Sequence, residues 1–400
     1  MKKYDNFLVI LSTCTCFGLI GGAWQVGRIL AVVLLPWLLI NVGKQGYGYV
    51  RNIFKVFALF YVYFLVSFIW TPDRSEGVKE LVYYLIHFVL FLELLVFSRA
   101  ANNPLRSLSR GWMVAVLLCS IVAYWEISTG NHLSVSKEHG DVVNAGDFIF
   151  HRMYASVTFG NYNSYVTFLC FSIPWIMYVI MDGERALVER ILAGAAIVMA
   201  SLVSVINASR GGVLSIIIMM VAYFLFSEKT RFKNIAFVVL TGLFIYVLIQ
   251  YGGSYTEVLS YRTEDGGMFS DRSRSSIWSN VLKVFGTTWG FGVGIGGVTE
   301  AMRTLTNSSV LSPHNLFLEI LVQYGVIITI VVLVFLWRLL KKSLKVERNR
   351  KIVLMMAFLA LPVYSIIDSG YLLSVHFYVF LATFYVFANY ELVKFPCRAV

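Results

Sequence analysis

The chain has 400 residues, 58% of them hydrophobic and only 14% charged, with a formal net charge of +11. Soluble domains are nearer half apolar and a quarter charged, so this composition excludes an ordinary soluble enzyme and points to a polytopic membrane protein. Its apolar segments are continuous runs rather than ten-residue alternations, which excludes a β-barrel.

A membrane-crossing helix needs roughly 20 mostly apolar residues. Twelve candidates follow in order, at about 6–24, 28–42, 54–70, 81–97, 111–127, 162–181, 191–207, 212–227, 234–250, 315–337, 352–367 and 371–391. The expected fold is therefore all-α: a single integral membrane domain over 1–400, with about twelve transmembrane helices. The first run follows Met1-Lys2-Lys3 and reads as an uncleaved helix, because no small-x-small cleavage site follows and Leu11–Cys14 makes a poor lipoprotein box. Placing the N-terminus in the cytoplasm puts 22 of the 33 basic residues inside, including Arg338 to Lys351, with both termini cytoplasmic. The positive charge is then a matter of topology, and no nucleic-acid partner is expected. Cys14, Cys16, Cys119, Cys170 and Cys397 lie in spans or the cytoplasmic tail, so no periplasmic disulfide is implied.

Two outside connections are long: one from about Ser128 to Asn161, and a periplasmic loop over 251–313 between the ninth and tenth spans. Loops of that length are functional or disordered. Within the second, Ser273–Phe285 places Ile277, Val281, Leu282 and Phe285 at helical spacing, an amphipathic helix for the membrane boundary or the bundle top. Gly290–Gly297, "GFGVGIGG", follows no strand, so it is no nucleotide loop and reads as a flexible turn.

The tenth span opens "SPHN". Pro favours the first helical position and Ser the one before it, so a helix start at Ser312-Pro313 is expected, with His314 in its first turn. Gly325 would then share the His314 face three turns deeper, and Glu319 would lie about 140° away. The helix dipole would keep His314 neutral and able to accept a proton.

Eleven basic residues face outside against the general bias, so their grouping is informative. Arg272 and Arg274 begin the amphipathic segment, and Arg210 sits in "NASRGG" at a tight turn. Arginine grips phosphate oxygens with two prongs, and a helix start adds N–H donors, which suits a pyrophosphate presented at the outer leaflet. Arg272 or Arg274 alone would more often be an anchor to lipid headgroups. Arg152, Asp368 and His376 lie near the same surface. Glu93 and His87, in the fourth span, should face the bundle interior. No acidic or histidine cluster has metal spacing, so neither metal nor other cofactor is expected.

Three motifs together resemble the O-antigen ligase and O-antigen polymerase superfamily of bacterial inner-membrane glycan transferases. They are "SRGG" at Ser209–Gly212, "RSSIW" at Arg274–Trp278 and "PHN" at Pro313–Asn315, with Arg274-x15-Gly290 and His314-x10-Gly325 spacings, all within about 200–335. The resemblance implies an inverting, metal-independent glycosyl transfer at the periplasmic face, from undecaprenyl pyrophosphate to an acceptor glycan lipid. Arg210 and Arg274 would hold the pyrophosphate, His314 would activate the acceptor hydroxyl, and Arg272, Asn315 and Arg152 would contribute to substrate binding. The acceptor would be a second lipid-linked repeat unit for a polymerase of O-antigen, capsule or exopolysaccharide, lipid A-core for a ligase, or a protein Ser or Thr. A chain-length regulator is a further candidate partner. A flippase or other transporter is the alternative outside enzymes, and would place its charges along a central cavity rather than in outer loops.

Overall fold

The structure, a computed structural model, describes residues 2–45, 48, 50–136, 142–145, 148–151, 154–227, 272–306, 308 and 310–394. The expected span at 234–250 and the start of the 251–313 loop lie outside these residues. The described chain is helical apart from one antiparallel hairpin, Val142–Ala145 (β1) with Phe148–His151 (β2), which pairs Val142 with His151. It divides into two compact units, one of 1–115, 277–346 and 368–400, the other of 116–276 and 347–367.

The helices of the first unit are α1 (Lys2–Thr13), α2 (Val26–Gln45), α3 (Arg51–Ser67) and α4 (Arg74–Ala100). Helix α5 (Pro104–Thr129) begins in this unit and ends in the second. In the second unit are α6 (Tyr162–Met181), α7 (Leu187–Ile206) and α8 (Arg210–Phe226). The remaining helices are α9 (Arg272–Gly286), α10 (Val298–Leu305), α11 (Leu316–Ser343), α12 (Arg348–Tyr364), α13 (Val375–Ala388) and α14 (Tyr390–Lys394). Among the described residues, six helices are long and apolar enough to cross a membrane: α2, α4, α5, α6, α7 and α11. The apolar helices α8 and α13 are shorter. Large apolar side chains such as Leu39, Leu59, Ile121 and Leu225 are exposed, as lipid-facing positions would be.

The first expected span does not form one continuous helix. Helix α1 stops after 12 residues, about 18 Å at 1.5 Å per residue, against a hydrocarbon core of about 30 Å. A tight turn over Cys14–Phe17 follows, and Gly18, Gly21 and Gly22 take positive φ. At the break, Thr15 donates to the Ser12 carbonyl and Thr13 to that of Gly111, so hydroxyls occupy carbonyls beside the turn.

In the first unit, α4 is central and packs against α1, α2, α3, α13 and α14. Asp73 caps its start by accepting the Glu76 N–H, and both Glu93 and His87 are buried as expected. An aromatic seam joins α3, α4 and α11: Phe57 stacks on Phe88 at 4.4 Å, and Phe64 lies 4.5 Å from Tyr324.

Gly290–Gly297 is not a flexible turn but a hydrogen-bonded connector, buried from Gly292 onward. Gly290, Gly292, Gly294 and Gly296 all take positive φ, a conformation that costs glycine nothing. The alternation lets Val293 and Ile295 turn inward while the backbone exchanges hydrogen bonds with α11. Val293 and Gly294 donate to the carbonyls of Val322 and Gln323, and Val326 donates back to Gly290. Thr71 donates to the Ile295 carbonyl and Trp70 to that of Gly292, while Ile295 donates to Ser67. Buried Glu80 closes the node, its Oε2 accepting Gly296 N–H at 2.9 Å and Gln323 Nε2 at 2.5 Å.

Helix α11 can meet this connector because it breaks at Gly325 (φ 78°, ψ −174°). A Cβ there would lie 2.2 Å from the Gly290 carbonyl oxygen. Gly325→Ala should therefore cost at least the 1–3 kcal/mol of about one strained residue, with the clash in addition. Gly43→Ala, an exposed helical position with open space around it, should be neutral or stabilising by up to about 1 kcal/mol. Thermal unfolding of the purified protein in detergent checks both, and equal melting temperatures for the two variants would refute the role given to Gly325.

Candidate active site

Arg210, Arg274 and His314 are each set by a local device that can be traced to sequence. In the second unit, "SRGG" is a helix start in which each residue has a task. Ser209 is the N-cap and accepts the Gly212 N–H at 3.3 Å, making Arg210 the first helical residue. Gly211 and Gly212 bring neighbours close: a Cβ at Gly211 would sit 2.8 Å from Ile367 Cγ1, and one at Gly212 would sit 2.3 Å from Val166 Cγ1. Neither position has room for a side chain, so Gly212 lies against α6 and Gly211 against Ile367, just past α12.

Arg274 meets the same end of α12. Its guanidinium donates to the carbonyl oxygens of Ile366 at 2.6 Å and Ile367 at 3.3 Å, just beyond the last turn of that helix. A cation at a helix C-terminus also complements the dipole there. Ile367 is thus shared: Gly211, the residue after Arg210, packs against its side chain, and its carbonyl accepts from Arg274. The helix expected over Ser273–Phe285 forms as α9. Arg272 opens it, but its side chain, like Arg152, lies outside the described residues.

His314 and Asn315 belong to the first unit. The helix starts later than expected: Ser312-Pro313 is not its beginning, and His314 stands outside the first turn. Asn315 is the N-cap, its Oδ1 accepting the N–H groups of Phe317 at 2.9 Å and Leu318 at 3.2 Å. Asn caps at least as well as Ser, and here it serves two donors, so the downstream cap prevails. Its carboxamide oxygen is therefore committed to the helix start. His314 adopts φ +48°, and the helix breaks at Gly325, so no common helical face relates those two residues.

What the spacings do share is an endpoint. Gly290, at the end of the Arg274 spacing, and Gly325, at the end of the His314 spacing, meet backbone to backbone where the connector joins α11. The turn before the helix is held from α9, because Trp278 Nε1 donates to the Pro313 carbonyl at 3.1 Å. Ser312 Oγ lies 3.4 Å from His314 Nε2. Beneath α9, Ile277, Val281 and Val284 pack with Val293, Val298, Met302 and Val322 in one apolar cluster. One turn into α11, buried Glu319 accepts the N–H groups of Gly370 and Leu372, tying that helix to the 370–372 turn.

Sequence reasoning missed Glu80, Gln323 and Asn207. Glu80 alone carried a signal, as a carboxylate near the start of an apolar span, where an unpaired charge is costly.

A many-helix membrane protein with arginines at a helix start and a helix end, and a histidine at a capped turn, is the class these observations define. Residues 195–333, which include Arg210, Arg274 and His314, match the Wzy_C family model, described as O-antigen ligase. The chain is also 24% identical over 291 residues to the teichuronic acid biosynthesis protein TuaE of Bacillus subtilis (strain 168), a match covering 70% of this chain and 58% of that relative. The chain thus spans under two-thirds of that relative's length. Both matches support its place in the O-antigen ligase and polymerase superfamily.

Arg274→Lys should lower stability by about 1–3 kcal/mol even though charge is kept, because one ammonium cannot span two carbonyls held by a fork. A melting temperature unchanged from the parent protein would show that the Ile366 and Ile367 contacts are not needed.

Proposed function

We propose that the protein is a glycosyltransferase at the periplasmic face of the bacterial inner membrane, moving a glycan from undecaprenyl pyrophosphate to an acceptor sugar hydroxyl. The observation that carries this reading is that Arg210, Arg274 and His314 all fall within the stretch matching the O-antigen ligase model, with Arg274 and Gly211, the residue after Arg210, both against Ile366–Ile367 past the end of α12. Most naturally it polymerises repeat units of O-antigen, capsule or exopolysaccharide. The relative named for teichuronic acid biosynthesis supports a polymer-building role. Joining a finished glycan to lipid A-core is the second reading, favoured by the description of the family model.

In this scheme Arg210 and Arg274 bind the pyrophosphate of the donor, where their charge counts most as the leaving group departs. The acceptor hydroxyl oxygen attacks the anomeric carbon from the face opposite the pyrophosphate. The bond from that carbon to the phosphate oxygen breaks, and undecaprenyl pyrophosphate leaves with both bonding electrons. His314 takes the hydroxyl proton, and the product has inverted configuration. The chemistry calls for no metal, because guanidinium groups supply the charge that a divalent cation would. Both termini face the cytoplasm in this arrangement. Arg272 and Arg152 are proposed to extend the phosphate or sugar contacts, and Asn315 to act through the helix start that it caps. A chain-length regulator is a compatible further partner.

His314→Ala and Arg210→Ala should each lower transfer at least about 100-fold while the protein still inserts, since a positioned base or charge clamp contributes that much or more. Purified protein with a lipid-linked repeat unit, with and without lipid A-core, measures this and separates the acceptors. Product from the repeat unit alone means polymerase; product only with core means ligase. Normal glycan ladders from both variants would remove these residues from the reaction.

A further inference from the structure

Arg210 needs more than its cap to be held in place. The turn that delivers it runs through Asn207 and Ala208, and Ala208 takes φ +47°, a region that residues with a Cβ seldom enter. Such a conformation persists only when its surroundings impose it. The constraint is visible on the Asn207 side. Asn207 is fully buried and uses both ends of its carboxamide on one residue: Oδ1 accepts Ala155 N–H at 2.8 Å, and Nδ2 donates to the Ala155 carbonyl at 2.9 Å. A two-point clasp of this kind fixes distance and rotation together.

The segment it grips is itself anchored. The next two N–H groups, of Ser156 and Val157, both donate at 2.8 Å to Oε2 of Glu126, whose side chain is completely buried at the end of α5. Val157 too has positive φ, 52°, unusual for a β-branched residue. The other Glu126 oxygen accepts Leu133 N–H at 3.4 Å and stands 3.6 Å from His132 Nδ1. The His132 ring lies flat on Tyr154 at 4.1 Å, one residue before the clasp. Two buried polar side chains thus hold one strained segment, and one of them begins the turn that ends at Arg210.

We infer that Asn207, clasping Ala155 against Glu126, is a positioning residue that sets the direction in which Arg210 is presented. This rests on the reading of Arg210 as a pyrophosphate ligand. Neither Asn207 nor Glu126 touches substrate; both act through the backbone of Ala155–Val157 and the 207–209 turn. A residue of this type affects binding only as long as the group it aims is present.

The test is a double-mutant cycle on binding of undecaprenyl pyrophosphate to the full chain in detergent. Asn207→Asp keeps the size and the acceptor but turns the Nδ2 donor into an oxygen facing the Ala155 carbonyl, and should weaken binding about tenfold. Added to Arg210→Ala, the same change should weaken binding no further. Glu126→Gln retains an oxygen for Ser156 and Val157 and should bind within about twofold of the parent, whereas Glu126→Ala should behave like Asn207→Asp. An Asn207→Asp effect that is absent, or that adds in full to Arg210→Ala, would overturn the inference while leaving the ligand role of Arg210 standing. Parent-like binding by Arg210→Ala alone would instead refute that role, and the inference with it. Melting temperatures of all variants separate lost aim from lost fold; if Asn207→Asp does not fold, the Glu126→Gln and Glu126→Ala pair decides the question in the same cycle.

Discussion

Backbone amides that leave regular structure inside an apolar protein must find partners, because neither lipid nor packed side chains supply any. The first unit meets this constraint by pairing two irregular stretches with each other. The glycine connector at 290–297 and the break in α11 at Gly325 would each strand N–H and carbonyl groups if they occurred alone. Together they exchange bonds along Val322–Val326, and Glu80, Ser67, Thr71 and Trp70 absorb most of the remainder. The placement of α9 on one side and α11 on the other follows from that exchange, and so does the position of the turn before α11.

The second unit solves a related problem with side chains. Its two strained residues, Val157 and Ala208, are flanked by carboxylate and carboxamide groups that saturate the neighbouring amides. The guanidinium of Arg274 does the same for the carbonyls at the end of α12. Arg210, Asn315 and the Arg274 guanidinium lie at or against helix ends, where four N–H or four carbonyl groups lack helical partners. A phosphate-binding role fits naturally at such ends, since they are already organised around unmatched backbone groups.

The helices were readable from sequence because apolar runs and amphipathic spacing are local signals. The segment Ser273–Phe285 became α9 almost residue for residue, and "SRGG" could be recognised as a tight approach before the neighbours of its glycines were known. Capping was less legible. Ser312-Pro313 and Asn315 are both acceptable starts, and only the two N–H donors that Asn315 Oδ1 meets in the folded turn decide between them. The connector was misread for a similar reason: alternating glycines permit either a loose turn or a tightly packed one, and the partners that decide lie more than 200 residues away at Ser67 and Glu80. Glu80, Gln323 and Asn207 left little local trace because single polar residues in apolar sequence show no periodicity. The arginines and the histidine were found through charge on the outer side of the expected topology, a signal that says where a residue lies but not how it is held.

The node at Glu80 also sets an order of events in the making of the protein. Its carboxylate is synthesised more than 200 residues before Gly296 and Gln323, its two partners. During that interval α4 carries an unmatched acceptor among apolar neighbours, and the first unit cannot close. The helices of the second unit up to α8 emerge in between, and α12, against which α8 packs, follows only after α11. Closure of this node therefore waits for Gln323 on α11, long after α4 itself has been made.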